Sequence, residues 1–214
     1  MSRIQISKLT FTHSDGIQAL QEIDLELNSG SRTAVVGPNG AGKTSLLMAI
    51  AGLIKVNGEI QIEDTLLSSS TVEELRKNMS FVFQNPDEML FMPTVMEDVC
   101  FGLDSLGLNE AQAKTRAHEA LEQVSLIGFE HRSAHHLSYG ERRKVCLAIC
   151  LARRSPLTLF DEPSRELDPQ GRRNFINMFR EWGGTLILAT HDLELVLETC
   201  EQMILIDDGQ IIKT

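Results

Sequence analysis

Residues 32–53, RTAVVGPNGAGKTSLLMAIAGL, leave few ways to fold. A short apolar run ends in glycine, a glycine-rich turn follows, and apolar residues then recur at helical spacing. Strand, glycine loop and helix in that order open a βαβ unit. The turn itself, GPNGAGKT at residues 37–44, fits the pattern G-x-x-x-x-G-K-[ST]. Each residue type has a physical reason at its place. Glycines let successive backbone N–H groups turn toward an anion. The helix start adds the positive end of its dipole. Lys43 supplies a point charge for the outer phosphates of a nucleotide, and Thr44 a hydroxyl for Mg²⁺. The nucleotide-binding residues read from this loop are Gly37, Pro38, Asn39, Gly40, Ala41, Gly42, Lys43 and Thr44.

A second segment supplies reactive groups. LTLFDE at residues 157–162 is an apolar strand ending in two acids. Asp161 is placed to hold Mg²⁺, directly or through water, and Glu162 to orient and polarise an attacking water. Alone, an acidic pair after a strand reads as a solvated strand end. Together with the phosphate loop it predicts hydrolysis of a nucleoside triphosphate, with Mg²⁺ as cofactor.

The remaining pattern predicts an α/β fold built on a phosphate-loop core with a mainly parallel sheet. RIQISKL and IDLELN alternate with period two and read as half-buried antiparallel strands of an N-terminal β subdomain. GEIQI is another short strand. PLTLFDEP, GGTLILATHD and QMILIDDG are short apolar runs ending in polar residues, as buried parallel strands do. Between them, NEAQAKTRAHEALEQVSL sets Ala113, Ala117, Ala120, Leu121 and Val124 on one helical face, and ERRKVCLAICLARR continues as helix. One domain over 1–214 is expected, with a nucleotide-binding core of 1–83 and 155–214 and an inserted helical subdomain of 84–154.

Composition narrows the function. At 214 residues the chain is long enough for one sizeable domain. Its longest apolar run, VCLAICLA, is far below the ~20 residues of a membrane-spanning helix. MSRIQISKL lacks the apolar centre of a signal peptide, so a soluble, unprocessed chain is expected. A net charge of −10 without a long basic block argues against nucleic acid as a partner. Cys146 and Cys150 lie inside an apolar run and read as core packing, and HRSAHH as a solvated loop.

LSYGERRKV, at residues 137–145, poses a puzzle. Ser138 and Glu141 are three apart before an apolar helical run, the pattern of a capping box. Yet Gly140 weakens the first turn by roughly 1 kcal/mol relative to alanine. Arg142, Arg143 and Lys144 follow directly, where the dipole disfavours cations. A close backbone approach to a phosphate explains the glycine, and an anionic nucleotide or partner surface the cations. The chain already has a phosphate loop, however.

The ordered set GPNGAGKT, FVFQNPDEMLF, LSYGE, LTLFDEP, SRELD and ATHD resembles the ATPase subunit of ABC transporters, over essentially the whole chain. QNPDEMLFMPTVMEDVCFGL resembles more narrowly the energy-coupling-factor type, which drives uptake of vitamins such as biotin and of cobalt or nickel ions. The resemblance implies ATP as the nucleotide and a head-to-tail pair of ATPase subunits, homodimer or heterodimer. It also implies a transmembrane coupling protein with a substrate-binding membrane protein, at the cytoplasmic face of the membrane. By the same resemblance Gln84 senses Mg²⁺ and water, His191 contacts the γ-phosphate, Ser45 lies near the α-phosphate and His13 stacks on adenine. Ser138, Tyr139, Gly140 and Glu141 close on the partner's ATP, and Asp168 couples the two sites. Three positions depart from the family's usual residues: Tyr139 for glycine, Glu141 for glutamine, and Glu166 for a small residue. The alternative is a soluble ABC ATPase outside transport, for example in iron–sulfur assembly; a third reading is a module that only binds ATP.

Overall fold

The computed structural model describes residues 2–164 and 169–213. Asp168 and Glu166 therefore lie outside the described residues. The chain opens with β1 (Ile4–Thr12) and β2 (Gln18–Leu27), paired antiparallel. Next come β3 (Arg32–Val36), α1 (Lys43–Ile50), β4 (Asn57–Ile62) and β5 (Thr65–Leu66). Then follow α2 (Val72–Lys77) and β6 (Met79–Val82), and after them three helices: α3 (Val95–Cys100), α4 (Glu110–Gln123) and α5 (Tyr139–Arg153). The chain returns through β7 (Leu157–Asp161), α6 (Pro169–Arg180), β8 (Thr185–Thr190), α7 (Leu193–Thr199), β9 (Gln202–Asp207) and β10 (Gln210–Lys213).

Two sheets result. The smaller is antiparallel, in the order β2-β1-β4-β5. The larger runs β10-β9-β3-β8-β7-β6, and all its neighbours are parallel except the β9–β10 hairpin. The mainly parallel core and the N-terminal antiparallel sheet match the fold expected from the residues.

Period-two alternation divides the interior in two. Every residue of β7 and β8 is buried, because helices or sheet cover both faces. On β8, Ile187 and Ala189 join α1 and the antiparallel sheet, whereas Leu186 and Leu188 join the helical side. The buried faces of α3, α4 and α5 belong to that same second cluster, so the helices share one apolar interior with a face of the parallel sheet. The expected face of α4, Ala113, Ala117, Ala120 and Leu121, is buried. Asn109 and Gln112 form a capping box at its start, a feature not read from the sequence. Cys146 and Cys150 are buried and free, and desolvation pushes the Cys150 thiol up to about 12.

The parallel arrangement brings the carboxyl ends of β3, β6, β7 and β8 to one edge. Such sheets bind ligands in the crevice outside those ends. Behind the edge, Phe160 is fully buried, with the rings of Phe179 and Trp182 at 4.9 and 5.4 Å, edge-on. We expect Phe160→Ala to destabilise the fold by about 3–5 kcal/mol, through lost burial and the cavity left behind. Urea unfolding followed by Trp182 fluorescence measures this, and a loss below about 1 kcal/mol contradicts it.

Candidate functional site

The loop after β3 is shaped by glycines, and at two of them there is no room for a Cβ. A Cβ on Gly37 would lie 2.1 Å from the Ile206 carbonyl oxygen. A Cβ on Gly42 would lie 2.3 Å from that of Ala19, and its φ of +102° is left-handed. Gly42 also begins α1 without a side-chain cap or an acid in the first turn, so the orphan amides of the helix start stay available to an anion.

Lys43 is 6% exposed, and its Nζ donates to the carbonyls of Gly37 and Pro38, each at 2.9 Å. Thr44 Oγ1 donates to Asp161 Oδ2 at 2.9 Å, joining α1 to the end of β7. Asp161 is 2% exposed, and its Oδ1 is buried with no hydrogen-bond partner among the described residues. Burial pushes its carboxyl above the usual range, opposed by the Thr44 hydrogen bond.

Glu162 takes a left-handed backbone, φ +46°, uncommon outside glycine. Its carboxylate is held from three sides. Oε1 lies 2.9 Å from His191 Nδ1 and 3.8 Å from Lys43 Nζ, while Thr190 Oγ1 donates to Oε2 at 3.1 Å. Its backbone N–H donates to the Ala189 carbonyl at 2.8 Å. Parallel pairing of β7 with β8 makes this possible, because it sets Asp161 opposite Ala189 and so carries His191 alongside Glu162.

These groups surround one cleft of about 650 Å³. His13, Asn39, Gly40, Gly42, Lys43, Thr44, Ser45, Gln84, Glu162 and His191 line it, together with Ile17 and Ala19, which the sequence did not single out. His13 Nε2 is 3.5 Å from Ser45 Oγ, and the Phe11 ring packs edge-on against the His13 ring at 4.8 Å. Gly37, Pro38, Ala41 and Asp161 do not line the cleft, although Asp161 accepts a hydrogen bond from Thr44, which does. Thr190 was also not singled out, although it directly precedes His191 in ATHD.

Ser138, Tyr139, Gly140 and Glu141 are not among the residues lining the cleft. They form the tip of α5. The capping box is present there: Glu141 N–H donates to Ser138 Oγ at 3.3 Å, and Ser138 N–H to Glu141 Oε2 at 2.7 Å. A Cβ on Gly140 would meet nothing within 4 Å. Tyr139 leans back onto its own chain, where its hydroxyl donates to the Gln84 carbonyl at 3.2 Å.

The reading of Arg142 and Arg143 as cations facing a nucleotide or a partner needs correction. Arg143 is 1% exposed, and Arg142 lies 3.1 Å from the Asp87 carboxylate. Helical phase decides this: position 143 falls on the same buried face of α5 as Cys146, Leu147 and Cys150.

The ABC transporter family model matches residues 20–165. The chain belongs to the ABC transporter ATP-binding family. The energy-coupling factor transporter ATP-binding protein EcfA of Methanothermobacter thermautotrophicus is 38% identical over 215 residues, covering 98% of this chain and 69% of that protein. A relative from Gloeobacter violaceus, 42% identical over 210 residues, covers 97% of this chain and 86% of that protein. It is described provisionally and generally as an ABC transporter ATP-binding protein. Among solved structures, cbiO1 of Clostridium perfringens, part of the ABC transporter complex cbiONQ, has a TM-score of 0.84 at 30% identity, covering 98% of this chain and 86% of that one. A dimeric post-hydrolysis state of the ATP-binding cassette MJ0796, bound to ADP and Pi, has a TM-score of 0.90 at 26% identity, covering 98% and 97%.

In this cassette Lys43→Ala removes a buried cation from the phosphate loop. ATP affinity is expected to fall at least about tenfold, roughly 1.4 kcal/mol. Isothermal titration of ATP checks this, and unaltered affinity would overturn the loop assignment.

Proposed function

We propose that this chain is the Mg²⁺-dependent ATP-hydrolysing subunit of a membrane importer of the energy-coupling-factor type, peripheral at the cytoplasmic face. A separate membrane protein there selects a vitamin or a transition-metal ion such as cobalt or nickel. Hydrolysis rests foremost on the carboxylate of Glu162, oriented by Thr190 and His191 at the mouth of the cleft. The importer reading rests on the relatives named for energy-coupling-factor transport and on the cbiONQ component.

The donor set fits a hard cation. Thr44 offers a hydroxyl, Gln84 lies on the same cleft, and the unpartnered Asp161 Oδ1 is a buried acceptor. Mg²⁺ held there would neutralise charge on the outer phosphates. Lys43 exchanges its bonds to loop carbonyls for bonds to the phosphates. The uncapped start of α1 and the loop amides hold the phosphate chain in register. Glu162 orients water toward the γ-phosphate and accepts its proton, while His191 keeps the carboxylate in place and contacts the γ-phosphate. His13 stacks on adenine.

A second ATPase subunit completes the site. Ser138 and Gly140, with Tyr139 and Glu141 beside them, close on the partner's ATP, and Asp168 couples the two sites. The open space around Gly140 supports this, since no contact among the described residues requires a glycine there. Loss of the γ-phosphate removes the shared ligand, and the pair opens. The membrane coupling protein is assigned to the surface carrying Phe91 and Phe101. These two rings are 60% and 55% exposed and stack edge-on at 4.8 Å. The Phe91 loop is anchored by Asp98, whose Oδ1 accepts the Phe91 and Met92 amides at 3.0 Å. The loop begins at Gln84, so motion at the nucleotide reaches this surface directly.

Glu162→Gln tests the reading. It should bind ATP, accumulate as a closed dimer on size-exclusion chromatography with light scattering, and lose at least about 100-fold in turnover, the scale of a lost general base. Near-normal turnover would reject Glu162 as the catalytic group.

A further inference from the structure

Arg143 is the largest of the fully buried side chains. Among the described residues no carboxylate forms an ion pair with it, and its Nε has no hydrogen-bond partner. A guanidinium withdrawn from water without a carboxylate in salt-bridge contact is a costly choice for a fold. A leucine or methionine would fill the same space without that penalty.

What the guanidinium does hold is specific. Nη2 donates to the Glu162 carbonyl at 2.7 Å, and Nη1 to the Phe83 carbonyl at 3.1 Å. These carbonyls stand just beyond the ends of β7 and β6, which pair in register through Val82 and Phe160. One belongs to the residue with the left-handed backbone, the other to the residue before Gln84. Tyr139, one turn earlier on α5, donates to the Gln84 carbonyl itself. The first turns of α5 thus grip three points of the site's frame from behind: two adjacent carbonyls after β6 and one after β7. At 1.5 Å of rise per residue, Arg143 lies only about 7 Å along α5 from Ser138.

We infer that Arg143 is a positioning residue for hydrolysis, fixing Glu162 and the Gln84 loop to the helix whose tip bears Ser138 and Gly140. The inference rests on the reading of Glu162 as the group that directs water. It gives the buried cation a task that no apolar side chain performs. Two planar, divergent N–H donors reach two carbonyls at once, so the turn at Glu162 and the entry to the Gln84 loop move with α5 as one body. When α5 meets a partner's nucleotide, Glu162 is carried with it.

The test compares Arg143→Met, Arg143→Gln and Glu162→Gln in the assembly in which the wild-type chain is purified, with ATP as the probe. Misplacement by about 1 Å costs on the order of 100-fold in rate, so kcat should fall about 10- to 100-fold in Arg143→Met. KM and ATP affinity should stay within about threefold. Arg143→Gln, which keeps one amide donor, should fall between Met and wild type. Should Arg143→Met fail to fold, Arg143→Gln decides alone by the same split of kcat from KM. The inference is overturned if kcat per folded molecule is unchanged, or if kcat and ATP affinity fall together. Loss of turnover in Glu162→Gln with normal turnover in the Arg143 variants sinks this inference alone. Normal turnover in Glu162→Gln sinks the reading beneath it.

Discussion

The hydrogen bond from Thr44 to Asp161 links the first helix of the core to the end of a strand 117 residues later. It spans the two halves of the nucleotide site, and the parallel sheet exists in the form that allows it. β3 and β7 are both buried strands pointing the same way, separated only by β8. Their carboxyl ends therefore open onto one crevice, where a phosphate loop and an acidic pair face each other. Were β3 and β7 to run in opposite directions, Asp161 and Lys43 would stand at opposite edges.

The electrostatics of that crevice are tightly confined. Lys43, Asp161, Glu162 and Arg143 are each 6% exposed or less, and their formal charges balance. Two carboxylates adjacent in sequence repel, and burial raises the Asp161 carboxyl further. The arrangement persists because cations stand on both sides, Lys43 on the cleft side and Arg143 behind. The left-handed turn at Glu162 belongs to the same economy: it turns the carboxylate toward His191 while the carbonyl turns toward α5. A strained backbone of this kind is stable only where its surroundings over-determine it, and here hydrogen bonds at the N–H, the carbonyl and both carboxylate oxygens of Glu162 do so.

Much of this was legible in the residues. The glycine loop, the acids after an apolar strand and the capping box at Ser138 each carry a local physical signature, and each stands where expected. The antiparallel strands at the N-terminus were visible because one face is buried and period-two alternation records it. Less legible were residues that act through packing. Thr190 shows no signature of its own; it matters because β8 lies beside β7. Arg143 was read as facing an anionic nucleotide or a partner surface, since it stands in a basic run at a helix start. Only the phase of α5 against the sheet turns it inward. Tyr139 was noticed as a departure, but not that its hydroxyl would reach the Gln84 carbonyl.

By itself the sequence determined the local chemistry: which loop has the pattern of a phosphate cradle, which strand ends in acids, and where the helix behind Ser138 starts. Those follow from spacing along one segment, within reach of a few residues. The tertiary structure decided which of these segments share an edge, which side of α5 is inside, and what holds Glu162 from behind. Such pairings join residues tens to more than a hundred positions apart, and they follow from strand order and the burial of both sheet faces, which no local pattern encodes.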